Sequence, residues 1–328
     1  MALKAAIVTR ALHSRGVAAA AVVWSLVVFA LCFFGDDFTP VEGNKGFALL
    51  SANLWFAGGV ADFAAAMGAY ALQIALMVAI CKIFNVLRSM TWLHVTLFAF
   101  MLTATPDLAA QFYTGTLLLP VVEVCVMLLL AVYRDVAAPR HVFLIFALLS
   151  LGIATQYCYV AYILVFAMGM LQMRIFSGRT AVAALLGIVT PWWIMFGFGI
   201  ITPADIRLAD LDSIFSAIDF GDALLLVITV GLSFILIILS LVLNVFRTIA
   251  YNARARAVNG LFTVLALVTM VACCADFRNI IAYIPLLNFC AALLTAHYFA
   301  THRAERSWIA ITLIIAAYTA LYICQRMI

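Results

Sequence analysis

Long apolar stretches alternate along the chain with short polar segments that hold most of the charged residues. A helix needs about 20 apolar residues to cross a hydrocarbon layer of roughly 30 Å, so these stretches have the length of membrane spans. The pattern predicts an all-α polytopic membrane protein with about eleven transmembrane helices, forming a single transmembrane domain over residues 1–328. The predicted spans are about 17–34, 64–81, 90–105, 112–133, two between Arg140 and Arg174, 181–199, 223–246, 258–275, 280–299 and 308–324.

The segment between Arg140 and Arg174 is interpreted as two short helices. As one helix it would be roughly 50 Å long, too long for an ordinary crossing, and it would place arginines on both sides of the membrane. A turn near Thr155-Gln156 instead returns the chain to the side that it left.

Two polar segments are predicted to be outer loops. Residues 35–62 form the first periplasmic loop, with about 49–62 lying at the membrane interface because Asp62 interrupts an apolar run. Residues 200–222 form a second periplasmic loop, in which aspartates greatly outnumber the single Arg207.

Composition and charge orient the predicted helices. Hydrophobic residues make up 68% of the 328 and charged residues 10%, and the mean hydropathy is +1.21, which excludes a soluble domain. With eleven spans, 14 of the 18 lysines and arginines fall on one side, so the N-terminus is predicted to be cytoplasmic. The start resembles a signal peptide but has no small-x-small cleavage pattern, so it is interpreted as a helix. The expected location is a bacterial inner membrane.

Several functional classes are not supported. All eight cysteines fall within apolar runs or at their ends, with no metal-type spacing and no pair suited to a disulfide. The basic residues are scattered at helix ends and form no stripe, so no nucleic-acid partner is predicted. Glu123 lies inside a span, where a lone charge is expensive, so it is expected to be protonated or paired inside the bundle. An interhelical hydrogen bond is the expected role, and a functional role is the alternative.

Ionisable residues recur beside the predicted outer loops. Asp36 and Asp37 directly follow the first span, Asp107 follows the third and Arg278 precedes the tenth. Acidic residues at such positions commonly cap and solvate helix ends. If they face a shared cavity, however, a carboxylate there can act as a general base on an acceptor hydroxyl, and an arginine can neutralise a leaving phosphate.

Five short segments resemble, in order, motifs of the C-type superfamily of integral-membrane glycosyltransferases, which includes protein O-mannosyltransferases and lipid A aminoarabinose transferases. An acidic motif stands behind span one and a second acidic residue behind span three. A glycine-containing short helix, a Pro-Trp-aromatic segment and an Arg, Tyr and Pro pattern follow. The corresponding residues are Asp36-Asp37, Thr105-Pro106-Asp107, Leu149–Gln156, Pro191-Trp192-Trp193, and Arg278 with Ile281–Pro285.

The resemblance implies transfer of a sugar from a polyprenyl-phosphate lipid at the periplasmic face. The surrounding partners would be membrane lipids, and the acceptor of the sugar is not identified. Asp36, Asp37 and Asp107 would be catalytic, and Arg278, Gln156 and Tyr283 would bind the donor phosphate. No cofactor is predicted, although the outer carboxylates could instead hold a divalent cation.

Two departures from the family pattern stand beside this resemblance. Gln156 replaces a phosphate-binding lysine, and no sizeable outer domain follows the last span. The central part of the chain also resembles a bacterial membrane family of unknown function. The alternative is therefore a non-catalytic multi-pass subunit or a transporter, although the sequence has no internal repeat of the kind common in transporters.

Overall fold

The computed structural model describes residues 11–35, 47–56, 58–89, 91–135, 138–206, 220–248, 251–301 and 307–327, with side chains of 220–248 described over 224–244. Every regular element in these ranges is helical. The eleven longer helices are α1 Arg15–Phe33, α2 Gly59–Ile83, α3 Leu93–Thr103, α4 Thr114–Ala131, α5 Pro139–Thr155, α6 Val160–Gln172, α7 Gly178–Gly197, α8 Phe220–Thr248, α9 Ala253–Ala275, α10 Ile280–Thr301 and α11 Ser307–Met327. Shorter elements are the one-turn helix Pro106–Ala109 and the 3₁₀ turns Ala52–Leu54, Tyr157–Tyr159, Pro203–Asp205 and Phe277–Asn279.

Eight of the described helices are long and apolar enough to cross a membrane, by length and composition. The other three, α3, α5 and α6, are apolar but shorter. This agrees with the predicted all-α polytopic class. The predicted break near Thr155-Gln156 is confirmed, because α5 ends at Thr155 and α6 begins at Val160.

Helix α2 begins earlier than its predicted start at Ala64. Gly58 and Gly59 both have positive φ angles, 78° and 75°, which lets the chain turn sharply into the helix. Asp62 then lies in the first turn, where a carboxylate is favoured by the helix dipole, and its Oδ1 accepts a hydrogen bond from Phe112 N at 3.0 Å. Asp62 therefore does not end the helix; its side chain joins α2 to the start of α4.

Helix α10 is the centre of the bundle. All of its residues from Ala282 to His297 are buried, and it packs against α3, α4, α8 and α9. Its polar side chains bond to neighbouring helices: Ser233 Oγ donates to Asn288 Oδ1 at 2.9 Å, and Ser240 and Thr295 hydroxyls lie 3.2 Å apart. A helix that is apolar on all sides is expected at such a buried position.

Helices α5 and α7 form the closest pair at the periphery. A Cβ on Gly187 would lie 2.6 Å from Phe143 O, so this approach of the two backbones requires a glycine. Ser150 Oγ donates to Ile188 O at 2.6 Å across the same contact. The pair holds the C-terminus of α5 in place.

One end of the bundle, which we call the basic end, collects arginines and lysines over aromatic rings. Arg15 and Lys82 lie 5.3 and 4.6 Å from the Trp92 ring centroid. Arg88 lies 4.0 Å from the Tyr251 ring. Further such contacts are made by Arg134 and Arg254, both over Tyr133.

The opposite end, which we call the acidic end, holds Asp62, Asp107 and Asp276. Asp62 is bonded to Phe112, immediately before α4. The first turn of α4 then packs on the first turn of α10, since a Cβ on Gly115 would lie 3.0 Å from Ala282 O. The separation of basic from acidic residues that the sequence predicted is thus present among the described residues.

The first and last helices run in the same direction. Trp24 contacts Tyr322 with ring centroids 6.5 Å apart, and further along both helices Arg326 lies close to Cys32. The second contact is nearer the C-terminus than the first on both helices, since Cys32 follows Trp24 on α1 and Arg326 follows Tyr322 on α11. The two helices are therefore parallel and both end at the acidic end.

Candidate functional site

The predicted acidic pair, Asp36 and Asp37, lies outside the described residues. The residues just before it are described: α1 ends at Phe33, and the Phe33 ring stacks on Phe63 of α2 with centroids 4.7 Å apart. The assignment of the pair to catalysis stays a prediction.

Asp107 lies in the one-turn helix that follows α3. Pro106 occupies the first position of this helix, where its missing N–H costs nothing. The half-buried Asp107 Oδ1 accepts a hydrogen bond from Cys32 Sγ at 2.6 Å, and Gln111 Nε2 donates to Asp107 O at 2.7 Å. Asp107 thus joins a group with Cys32 and, through it, Arg326.

Tyr283 belongs to a different group, which we call the Asp276 cluster: Tyr157, Asp276, Asn279 and Tyr283. Tyr157 Oη and Asn279 Nδ2 donate to Asp276 Oδ1 at 3.1 and 2.8 Å. Tyr283 Oη donates to Asp276 Oδ2 at 3.1 Å, and Asn279 Nδ2 also bonds to Tyr157 Oη. Asp276 is buried, and both of its carboxylate oxygens accept hydrogen bonds from protein side chains.

Local sequence explains most of this cluster. Asp276 caps the end of α9, the 3₁₀ turn Phe277–Asn279 follows, and Tyr283 lies in the first turns of α10. Positions 276, 279 and 283 are spaced i, i+3 and i+7, the spacing of residues that share one face of a helix. Asp276 itself is non-helical, with φ −127° and ψ 63°, and its carboxylate meets this face at the start of the 3₁₀ turn. Only Tyr157 arrives from a distant part of the chain.

Gln156 is the neighbour of Tyr157 at the end of α5. Its backbone is extended, with φ −156° and ψ 131°, and its side chain is 3% exposed with no hydrogen-bond partner for Oε1 among the described residues. A buried polar atom without a partner is uncommon in native structures and is often associated with a functional site or an unseen ligand. The turn that follows depends on Gly152, because a Cβ there would lie 2.5 Å from the Tyr159 ring.

The segment from Phe47 to Leu49 closes the C-terminus of α5. Phe47 N donates to Thr155 O at 3.3 Å, and Ala48 N and Leu49 N donate to Ala154 O at 2.9 and 2.7 Å. These bonds satisfy carbonyls that a helix end leaves without an internal partner. They bring the segment between α1 and α2 next to Gln156.

An apolar surface of α7 lies beside the same segment. The Phe47 ring contacts Trp192 edge-on, with centroids 6.1 Å apart. The concave face is lined by Val189, Trp192, Trp193, Phe196 and Gly197, and Trp193 is 75% exposed. This face includes two residues of the Pro191-Trp192-Trp193 segment that the sequence singled out.

The three predicted phosphate-binding residues lie on or beside two turns that meet, with Gln156 buried and Arg278 exposed. The hydrogen bond between Tyr157 and Asp276 ties the α5–α6 turn, which contains Gln156, to the α9–α10 turn, which contains the exposed Arg278, and Tyr283 joins the same cluster. Asp107 lies at the same end of the bundle, but its side chain bonds to α1 and not to this cluster.

Sequence reasoning missed Asp276, Asn279 and Tyr157. The helical spacing of Asp276, Asn279 and Tyr283 was a usable signal. The contact with Tyr157 had no local signal, because it joins two turns that are far apart in the sequence.

Two further predictions concern metals and Glu123. Within the described ranges no group of three or more His, Cys, Asp or Glu side chains could hold a metal ion, and Asp36 and Asp37 fall outside those ranges. The interhelical hydrogen bond expected of Glu123 is wrong for the described residues, since both of its carboxylate oxygens are buried without a partner.

The chain matches no protein-family model, no curated protein and no solved structure.

Proposed function

We propose that this protein is a multi-pass membrane protein of the bacterial inner membrane that transfers a sugar from a polyprenyl-phosphate donor at the acidic end. The observation that carries the proposal is the hydrogen bond between Tyr157 and Asp276. It joins the turn that carries Gln156 to the turn that carries Arg278, and this supports a shared phosphate site for Gln156, Arg278 and Tyr283. A lipid-linked phosphate would bind at this end of the helices, with its hydrocarbon chain in the bilayer and its charged phosphate near water.

The orientation is part of the same proposal. We infer eleven crossings with a cytoplasmic N-terminus and a periplasmic acidic end. The parallel course of α1 and α11 supports an odd number of crossings, because an even number would make the first and last helices antiparallel. Arginines and lysines gathered at the opposite end support its cytoplasmic position.

The chemistry assigns separate roles to the groups of the acidic end. Arg278 would neutralise the donor phosphate, which two parallel N–H groups of a guanidinium can hold, and Gln156 and Tyr283 would complete its binding. Asp36, Asp37 or Asp107 would take the proton of an acceptor hydroxyl as its oxygen bonds to the sugar carbon. The bond between that carbon and the phosphate oxygen then breaks, and the polyprenyl phosphate leaves.

The apolar face of α7 supports a lipid donor. Trp192 lies against Phe47, and Phe47 is bonded to the end of α5, so the face adjoins the turn that carries Gln156. A long isoprenoid chain needs an apolar surface of this kind beside its phosphate.

A non-catalytic membrane subunit, or a transporter of unknown substrate, is the second candidate. It is favoured by the state of Asp276, whose two oxygens are both occupied by protein donors and which therefore acts as a link between two turns. In that case Arg278 would only solvate a helix end.

Mass spectrometry of the purified protein for a co-bound polyprenyl phosphate separates the two candidates. Arg278→Gln should retain about 10- to 100-fold less of an added polyprenyl phosphate than the wild type, because one charge-assisted partner of the phosphate is lost. Arg174→Gln, which removes the same charge at the basic end, is the matched control. Equal retention by Arg278→Gln and the wild type would refute the phosphate-binding role.

The acidic residues are tested in the same preparation. If one of the predicted carboxylates is the general base, then Asp36→Asn, Asp37→Asn or Asp107→Asn should lower the transfer rate by about 100-fold or more and leave lipid retention unchanged. Wild-type transfer rates in all three variants would exclude these carboxylates as the base.

A further inference from the structure

A polar cleft of about 200 Å³ opens at the basic end, far from the groups discussed above. Three parts of the chain meet there: the α2–α3 loop, the start of α9 and the last turns of α10. The polar residues that line it are Asn85, Arg88, Tyr251, Asn252, Arg254, Asn259 and His297. Among the described residues that line the cleft, two are arginines and none carries a carboxylate.

His297 gives the cleft a buried polar atom without a partner. The side chain is 4% exposed, and its Nε2 lies 3.4 Å from Tyr251 Oη. Its Nδ1 is buried with no hydrogen-bond partner among the described residues. Leaving such a group unpaired is costly, so its position in the wall of a polar cleft indicates a missing ligand or water.

The start of α9 adds backbone donors to the same wall. Asn252 caps the helix, since its Oδ1 accepts from Ala255 N at 2.9 Å and its carbonyl accepts from Arg256 N at 3.0 Å. The earlier amides of Ala253 and Arg254 have no acceptor within their own helix, because the helix begins there. The N-terminus of a helix attracts anions through these amides and through the helix dipole.

Arg88 is held over the opening of the cleft by its neighbours. Its guanidinium lies 4.0 Å from the Tyr251 ring, and its backbone has φ 53°, a left-handed conformation that few residues other than glycine and asparagine adopt. The arginine is exposed, so its remaining donors can reach a ligand.

We propose that this cleft binds a phosphate group. Two guanidinium groups supply positive charge, and they and the amides at the start of α9 supply hydrogen-bond donors; His297 Nδ1 adds a donor when Nε2 accepts from Tyr251 Oη. Phosphate accepts several hydrogen bonds at once. The phosphate could belong to the headgroup of an anionic phospholipid or to a soluble phosphate ester. The site lies at the opposite end from Arg278 and does not depend on the proposed transfer reaction.

Thermal unfolding of the purified full chain tests this site in two series. The first, in a neutral detergent, adds potassium phosphate, with potassium chloride adjusted to hold ionic strength constant. The second uses the protein in phosphatidylcholine nanodiscs with and without added phosphatidic acid. A ligand that binds only the folded protein raises the unfolding midpoint according to its concentration relative to its Kd.

Arg88→Asn is the diagnostic variant, because asparagine tolerates the left-handed backbone while removing the guanidinium. Its apparent affinity should fall about 10- to 100-fold. Arg174→Asn is the matched control: Arg174 is also exposed, has φ 58° and does not line the cleft. Arg254→Gln, in a helical position, provides a second variant if Arg88→Asn does not fold.

Stabilisation by inorganic phosphate that Arg88→Asn or Arg254→Gln loses, and Arg174→Asn keeps, supports a site for soluble phosphate. Stabilisation by phosphatidic acid alone, with the same pattern among the variants, supports a lipid headgroup. The proposal is overturned if neither probe stabilises the wild type beyond the chloride control. It is also overturned if Arg174→Asn loses as much affinity as the variants of the cleft.

Discussion

At the acidic end, Asp276, Asn279 and Tyr283 are buried and bonded to one another and to the half-buried Tyr157. At the basic end, the cations are exposed and lie over aromatic rings. Hydrogen bonds of the first kind require fixed distances and lose much of their value when one partner is removed. Cation–π contacts at exposed sites are weaker and tolerate movement, and their charges are screened by salt. The acidic end is therefore suited to holding groups in fixed positions, and the basic end to attracting charge.

The largest expected difference between the two ends is their accessibility in the cell. In a background with the exposed Cys274 and Cys324 changed to serine, Ala204→Cys should react with a membrane-impermeant maleimide in intact cells. Ser89→Cys, at the basic end, should react only after the membrane is disrupted. Both positions are exposed, so the comparison measures sidedness alone. Labelling of Ser89→Cys but not Ala204→Cys would reverse the proposed orientation.

A smaller but still large effect is expected from Asp276→Ala. The change removes the acceptor of Tyr157, Asn279 and Tyr283 together, and it should lower the free energy of unfolding by about 3 kcal/mol or more. Denaturation in detergent, followed by circular dichroism, measures it. The exposed Asp135 at the basic end provides the control, since Asp135→Ala should cost less than about 1 kcal/mol. Equal losses in the two variants would contradict the contrast between the ends.

The smallest expected effect comes from Trp92→Leu at the basic end. The ring lies under Arg15 and Lys82, and losing both contacts should cost about 0.5 to 1 kcal/mol each beyond the change in packing. The stability loss that comes from the two cation–π contacts should decrease as the potassium chloride concentration is raised, because salt screens exposed charges. The stability loss of Asp276→Ala should change little. Parallel measurements of both variants at low and high salt check the difference; a salt-independent loss in Trp92→Leu would contradict it.

The sequence predicted the helices well because the bilayer imposes a strong and local rule. Each described apolar run forms one helix, and the turn after Thr155 was predicted from length and charge alone. The start of α2 was predicted too late because Asp62 was interpreted as an interruption. The Asp62 carboxylate instead lies in the first turn of α2 and accepts a hydrogen bond from Phe112 N, which is far along the chain.

The candidate site was harder to predict, because hydrogen bonds between distant turns leave no periodic signal. Arg278, Gln156 and Tyr283 were selected by resemblance, and the structure places them at two turns that meet. The residue that joins these turns, Asp276, was not among the predicted site residues. Its spacing to Asn279 and Tyr283 marks one helical face, but its bond to Tyr157 requires the tertiary fold.

The contact between the ends of α1 and α11 has a consequence for biosynthesis. Cys32, which is bonded to Asp107, meets Arg326 only after the last helix has been made and inserted. At roughly 5 to 20 residues per second, the interval between synthesis of Phe33 and Ser307 is on the order of tens of seconds. During that time α1 lacks its contacts with α11, so a ribosome that stalls late leaves Trp24 without Tyr322 and the Cys32–Asp107 pair without Arg326.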